Sequence, residues 1–306
     1  MTKTIASPKV SVLCPTFNHE QFIATAISSF LAQRTSFLFE IIIRDDASTD
    51  RTLDIVMSYR DQYPNQIRVI SHAVNQFQLG KRPVVELLRS ARGEYVAFCE
   101  GDDYWSDPNK LQIQIDIIEA CPHSIASAHK TLVLNKDGTI DKDSHLFVSR
   151  NTAQLLDYAD IATPDTPFHT TSFVCKKSAL IPALEYRFFG KSFSGDLVMY
   201  SLAASQGKIS FIPKYMSVYR VHDGGITKSS LHQNRVLCNI NRLYMWSIIN
   251  QWSPLPTKNK KHLYNSFLKR LASGARTLGA KRLILRSPSI ISYTCILIFD
   301  WISHLN

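Results

Sequence analysis

A chain of 306 residues can bury a substantial core, as one large domain or as one domain with an appendage. Its six cysteines (Cys14, Cys99, Cys121, Cys175, Cys238 and Cys295) are scattered without a Cys-x-x-Cys pair, which argues against a disulfide or zinc framework and for buried thiols in a reducing cytosol. The net charge of +10 is uneven: residues 251–306 hold nine Lys or Arg against one Asp, and the body is nearly neutral.

In chain order, β-strands are expected near 9–14, 39–44, 67–71 and 95–100, with helical patterns between them near 20–33, 50–62 and 81–91. The next helix has Asp107 as its expected N-cap, Pro108 at the first helical position, and Leu111, Ile115 and Ile118 on one face. This βαβα order predicts an α/β fold with a mostly parallel sheet and helices on both faces. Beyond residue 125 the pattern changes. Ile125–Leu134 and the turn Lys136-Asp137-Gly138 read as a hairpin, and short strands follow near 172–176 and 209–219. From about 229 the chain reads as helical, broken by the loop Ser253-Pro254-Leu255-Pro256.

Two strands end in acid. Tyr95–Cys99 is uncharged and β-forming, as a strand buried on both faces should be, and runs into Glu100-Gly101-Asp102-Asp103. Phe39–Arg44 runs likewise into Asp45-Asp46-Ala47-Ser48-Thr49-Asp50. Carboxylates this close repel one another unless a cation or a set of donors satisfies them. In open α/β sheets ligands collect at the carboxyl ends of strands, so both turns can converge on one ligand. A divalent ion carrying a diphosphate is the economical explanation. The plain alternative is capping of the helix that starts near Thr52.

These residues resemble the inverting nucleotide-sugar glycosyltransferases of family 2, which have the GT-A fold. Val10–Asn18, with Pro15-Thr16-Phe17-Asn18, is similar to the family's opening strand and turn. Asp45–Asp50 resembles its Asp-Asp-Gly-Ser-x-Asp element, with Ala47 in place of Gly. Gly93–Asp103 resembles the strand ending in the Asp-x-Asp-type metal motif, and Gly195-Asp196 the segment carrying the catalytic base. The resemblance implies a GT-A catalytic domain over 1–228, with a nucleotide-sugar half to about 125 and an acceptor half from 126, then a helical, basic extension over 229–306.

By the same resemblance, Pro15, Thr16 and Asn18 would line the nucleotide pocket, Asp46 would accept from base or ribose, and Asp102 would contact the ribose. Asp103, with His222 of Arg220-Val221-His222, would bind Mn²⁺ or Mg²⁺, and Arg220 suits phosphate oxygens. Asn75 and Arg82 would supply polar and basic groups, although a helix start at Pro83 accounts for that loop without a ligand. Asp196 is the expected base, taking the acceptor hydroxyl's proton in a single displacement; a plain N-cap is its alternative. His222 also reads as a structural turn histidine, and His169 as ordinary loop chemistry.

The expected reaction moves a sugar, from a UDP-sugar above other donors, to a glycan or lipid-linked acceptor in surface polysaccharide synthesis. The alternatives are a nucleotidylyltransferase, whose glycine-rich basic loop is missing from Cys14–Glu20, and a catalytically degenerate, membrane-associated assembly subunit. No signal-peptide apolar region follows Met1, so a cytoplasmic location is expected. The basic tail and the apolar run Ile290–Ile302 suit an anionic membrane surface on the cytoplasmic face, or else a buried helical stripe. Nucleic acid is not an expected partner, since no reader motif appears.

Overall fold

The computed structural model describes residues 7–142, 152–161, 167–181 and 195–225. The expected helices beyond 229, the division at 228 and the apolar run at 290–302 lie outside them. Five strands alternate with helices at the start: β1 (Val10–Thr16), α1 (Ile23–Leu31), β2 (Phe39–Asp45), α2 (Thr52–Gln62), β3 (Ile67–Ser71), α3 (Pro83–Ser90), β4 (Tyr95–Phe98), the short β5 (Tyr104–Trp105) and α4 (Lys110–Ala120). The rest of the described chain adds β6 (Ser124–Leu134), β7 (Ile140–Asp141), β8 (Gln154–Leu156), α5 (Tyr158–Ile161), β9 (Val174–Lys176), α6 (Gly195–Gln206) and β10 (Lys208–Arg220).

The strands form one mixed sheet in the order β3-β2-β1-β4-β9-β6-β10-β5, with β7 on β6 and β8 on β10. The β3-β2-β1-β4 half is parallel throughout, and β6 and β10 are also parallel; the short β9 joins the two halves antiparallel to both neighbours. Alternation along β1 and β2 sorts the core into two layers. Val12, Cys14, Ile41 and Ile43 meet Ile23, Ile27 and Phe30 of α1 and Leu111, Ile115 and Ile118 of α4. Leu13 and Ile42 face the other way, toward Leu87 and Leu88 of α3 and, further along, Tyr200 and Leu202 of α6. Helices therefore cover both faces, as the sequence pattern predicts.

The hairpin after 125 is present as β6 and β7 around Gly138 (φ +83°). The expected cap of α4 is displaced. Asn109, not Asp107, precedes the helix, and Asp107 instead accepts the Asn109 N–H at 2.8 Å and pairs with Lys214 at 2.5 Å. The salt bridge competes for the carboxylate, and the chain closes a turn before the helix begins. The described cysteines are free, with Cys14, Cys99 and Cys175 buried.

Two glycines set the approach of β4 to β1. A Cβ on Gly93 would lie 2.6 Å from the Ser11 backbone nitrogen, and one on Gly101 would lie 2.5 Å from Thr16 Oγ1. Neither position has room for a side chain. Ala47 adopts φ +62°, the left-handed conformation that disfavours a Cβ and favours the glycine usual in the related motif. Ala47→Gly is therefore expected to raise stability by about 1 kcal/mol in denaturant melts, the strain relieved exceeding the entropy a glycine adds to the unfolded chain. A fall in stability would mean that Ala47 is not strained.

Candidate functional site

The ends of β1, β2, β4 and β10 meet at one edge of the sheet. The two acidic turns there are satisfied in different ways. Asp45 accepts from Ser48 N–H at 3.0 Å and Ser48 Oγ at 2.5 Å. Asp46 is 3 % exposed and accepts the Gln76 and Phe77 N–H groups at 2.8 and 3.0 Å, with Arg44 Nη1 3.0 Å from the same carboxylate. Asp50 takes the Thr52 N–H and hydroxyl. The protein's own donors thus answer the first turn. Asp46, expected to accept from base or ribose, is occupied by the loop after β3.

The second turn is not answered in this way. Asp103 is 1 % exposed and turned inward, its Oδ1 accepting the Arg220 N–H at 2.8 Å. Burial, then the nearby charges of Asp102 and Glu100, push its carboxyl well above the usual range. Asp102 faces outward: its Oδ2 lies 3.0 Å from His222 Nε2 and 3.6 Å from His19 Nε2, while its Oδ1 is buried without a hydrogen-bond partner. Glu100 Oε2 is likewise buried without a partner. Burial, then the charges of Asp102 and Asp196, push Glu100 up to about 8.

His19, Asp102 and His222 each present a ligand atom, all within 4.8 Å of one another, and among the described residues they are the one group so arranged. His19 Nδ1 is 3.2 Å from Thr16 Oγ1, which leaves Nε2 toward the cluster. Burial lowers the His19 pKa, and neutral imidazole is the form that ligates. The donor set fits a divalent cation, because it leaves a buried carboxylate oxygen uncompensated. Two imidazoles and one carboxylate suit Mn²⁺ better than Mg²⁺, which prefers oxygen alone. The carboxylate of this group is Asp102, and Asp103, the carboxylate expected to bind metal, lies outside it.

The other nominated residues surround this cluster. Pro15 O accepts the Gly101 N–H at 3.0 Å, locking β1 to the acidic turn. Asn18, at φ +54°, spends its side-chain oxygen on the Thr49 N–H at 2.8 Å and so straps the β1 turn to the β2 turn. Arg220 donates from Nη1 to the Asp102 carbonyl at 2.7 Å, and its guanidinium sits 4.5 Å from the Tyr104 ring centroid. Asn75 Oδ1 accepts the Gln78 N–H at 2.9 Å, shaping its own loop. Arg82 precedes α3, which has Pro83 at its first position as expected, and the guanidinium packs 5.0 Å from Phe77.

Asp196 stands in the first turn of α6. Its charge reaches Glu100, Arg82 and Tyr200, which places it beside the acidic turn of β4. His169 is held within the protein: its Nδ1 accepts the Thr171 N–H at 3.3 Å, its ring lies 4.5 Å from Tyr219, and burial lowers its pKa to about 4. Two residues of the site, His19 and Glu100, were not singled out as site residues from sequence. The available signals were an imidazole in the turn after the first strand and a first acid directly at the end of β4.

A family model described as Glycosyl transferase family 2 matches residues 11–181. An uncharacterised protein of Mycobacterium tuberculosis is 33% identical over 230 residues, covering 74% of this chain; the chain spans 62% of that relative's length. Staphylococcus aureus TarS, crystallised with UDP-GlcNAc, superposes over 97% of this chain and 82% of its own with a TM-score of 0.67 at 22% identity. The Pyrobaculum calidifontis mannosyltransferase PcManGT, in complex with GDP-Man and Mn²⁺, matches over 98% and 88% with a TM-score of 0.60 at 18% identity. At these identities the two structures establish the shared GT-A fold.

The Glu100 carboxyl gives a pH test. Its folded pKa is raised to about 8 from 4.5, so the folded state holds the extra proton between those values. Stability is then fully present below about pH 4.5 and is lost as pH rises through about 8. In chelator, Glu100→Gln should be more stable than wild type above about pH 8, by at most about 5 kcal/mol, and the difference should vanish in acid. Equal melting of the two proteins at high pH would contradict the burial of an uncompensated charge at Glu100.

Proposed function

The chain belongs to glycosyl transferase family 2, and we propose that it transfers a sugar with inversion from a nucleoside diphosphate donor, a UDP-sugar above others, to a glycan or lipid-linked glycan acceptor in surface polysaccharide synthesis. The observation that carries this reading is the uncompensated acid at the end of β4. Asp102 and Glu100 keep buried oxygens without partners, while His19 and His222 close on Asp102. A diphosphate-bound cation answers that arrangement. The UDP-GlcNAc complex of TarS favours uridine as the donor base.

In this reading Asp102, His222 and His19 would hold Mn²⁺, and Asp102 would take the role the sequence pattern offered to Asp103. When bound, the ion neutralises the diphosphate as it leaves. Asp103 holds the Arg220 backbone, and Arg220 in turn supports the Asp102 carbonyl, so the closing segment and the acidic turn are built as one piece. Asp196 accepts the acceptor hydroxyl's proton as that oxygen attacks the anomeric carbon. Glu100 beside it, with its raised pKa, is largely protonated at neutral pH and leaves Asp196 as the base. The charge of Asp196 in turn acts on the Arg82 guanidinium. The basic tail and its apolar run place the enzyme against an anionic membrane surface where a lipid-linked acceptor resides; support for this part comes from sequence.

A thermal-shift panel of UDP, GDP, dTDP and CMP with Mn²⁺ or EDTA tests the reading. A ligand at about 100 times its dissociation constant adds about 2.7 kcal/mol, a shift of a few degrees for a chain of this size. The expected result is an Mn²⁺-dependent shift with UDP that Asp102→Ala abolishes and Asp196→Asn retains. No shift with any nucleotide would sink the proposal.

A further inference from the structure

Strand β2 carries a residue that burial should forbid. Arg44 follows Ile41, Ile42 and Ile43 and is 1 % exposed, registered between Pro15 of β1 and Ile70 of β3. A buried guanidinium is costly unless its partners are charged and well placed. Arg44 lies on the face of β2 that Ile42 presents to α3, and two carboxylates meet it there. Its Nε donates to Glu86 Oε2 of α3 at 2.7 Å; its Nη1 lies 3.0 Å from Asp46 Oδ1 as an ion pair that lacks hydrogen-bond alignment, Nη1 being buried without a hydrogen-bond partner. Glu86 Oε2 also lies 2.8 Å from His72 Nε2. Burial alone would raise the Glu86 pKa, but the hydrogen bonds from Arg44 and His72 outweigh it and hold the carboxylate below its usual range.

The arrangement pins one segment in three places. His72 lies at its start and Glu86 at its end, and both close on the Arg44 cluster. In the middle, the Gln76 and Phe77 N–H groups close on Asp46. Between the pins the loop turns on itself through Leu79 N–H and Lys81 N–H to Gln76 O, with Gly80 at φ +76°. Apolar burial does not hold it: Val74, Phe77 and Leu79 are 57, 40 and 61 % exposed. The loop leads to Arg82, which faces Asp196. Its shape beside the site therefore rests on polar pins that share one guanidinium.

We propose that Arg44 is a positioning residue for donor binding: through Asp46 and Glu86 it fixes the His72–Arg82 loop in the shape that receives the nucleotide. The inference rests on the donor-binding reading above and extends it to a buried residue of β2. A charged residue at this core position then has a use that an isoleucine could not fill. The loop would be as well covered with an apolar residue, but not tied.

The test compares wild type with Arg44→Met, Arg44→Lys and Glu86→Gln, and takes Arg68→Gln, which touches only Glu40 and the Ser90 carbonyl, as the control. Two quantities are read on the full chain: hydrogen-exchange protection of the Gln76 and Phe77 amides without ligand, and UDP affinity with Mn²⁺. Arg44→Met is expected to reduce protection and affinity each by about tenfold or more, with Glu86→Gln and Arg44→Lys intermediate. Arg68→Gln should leave both unchanged. Glu86 is partly exposed, so its variant keeps the fold even if Arg44→Met does not. Unchanged amide protection in Glu86→Gln and Arg44→Lys would overturn the inference. So would lost protection with UDP affinity intact, since that outcome describes a purely structural pair. A wild type that binds no nucleotide would instead overturn the donor-binding reading, with the amide measurement still deciding whether Arg44 sets the loop.

Discussion

The structure depends on how closely packed carboxylates are answered at the edge of a parallel sheet. The β2 turn is satisfied by serine, by backbone N–H groups and by Arg44. The β4 turn retains two buried carboxylate oxygens without partners, on Glu100 and Asp102. Leaving such groups unmet destabilises a fold unless something arrives to meet them. That imbalance distinguishes the β4 turn from the β2 turn, even though the two read alike as strings of acid.

Backbone proximity makes the imbalance possible. Gly93 and Gly101 let β4 and its turn press against β1 where any Cβ would collide with the Ser11 backbone or the Thr16 side chain. The Gly101 N–H to Pro15 O bond then carries the acidic turn to within reach of His19. From the other side, the end of β10 delivers Arg220 and His222 after a run of 13 strand residues. The Arg220 N–H is taken up by Asp103, and the His222 imidazole meets Asp102. Three strands distant in sequence, β1, β4 and β10, thereby supply one cluster, which a single strand-end motif could not.

Much of this was legible in the sequence because it depends on local rules. Strands β1 to β4 and helices α1 to α4 follow from alternating and helical apolar patterns, within a few residues at their ends. The two acidic turns and their position at strand ends were equally visible. Which acid of the second turn faces outward was not. Beyond Phe98 the chain leaves the strand, and the turn closed by Asp103 N–H to Glu100 O decides which acid faces outward. Side-chain direction in such a turn depends on contacts with Thr16 and Arg220, both far away in sequence. The same long-range dependence hid His19, whose partners come from positions 102 and 222. It also displaced the cap of α4, where Lys214 claims Asp107. Arg44 was visible as an anomaly among isoleucines, but its meaning needed Glu86 and Asp46 in place.

The most direct measurement of the central claim is Mn²⁺ binding in the presence of UDP, followed by electron paramagnetic resonance on wild type, Asp102→Ala and Asp103→Ala. The account predicts that wild type binds one Mn²⁺ per chain, that Asp102→Ala loses it, and that Asp103→Ala keeps the ion if it folds. Retention of Mn²⁺ by Asp102→Ala, together with its loss from a folded Asp103→Ala, would contradict the assignment of the uncompensated acid.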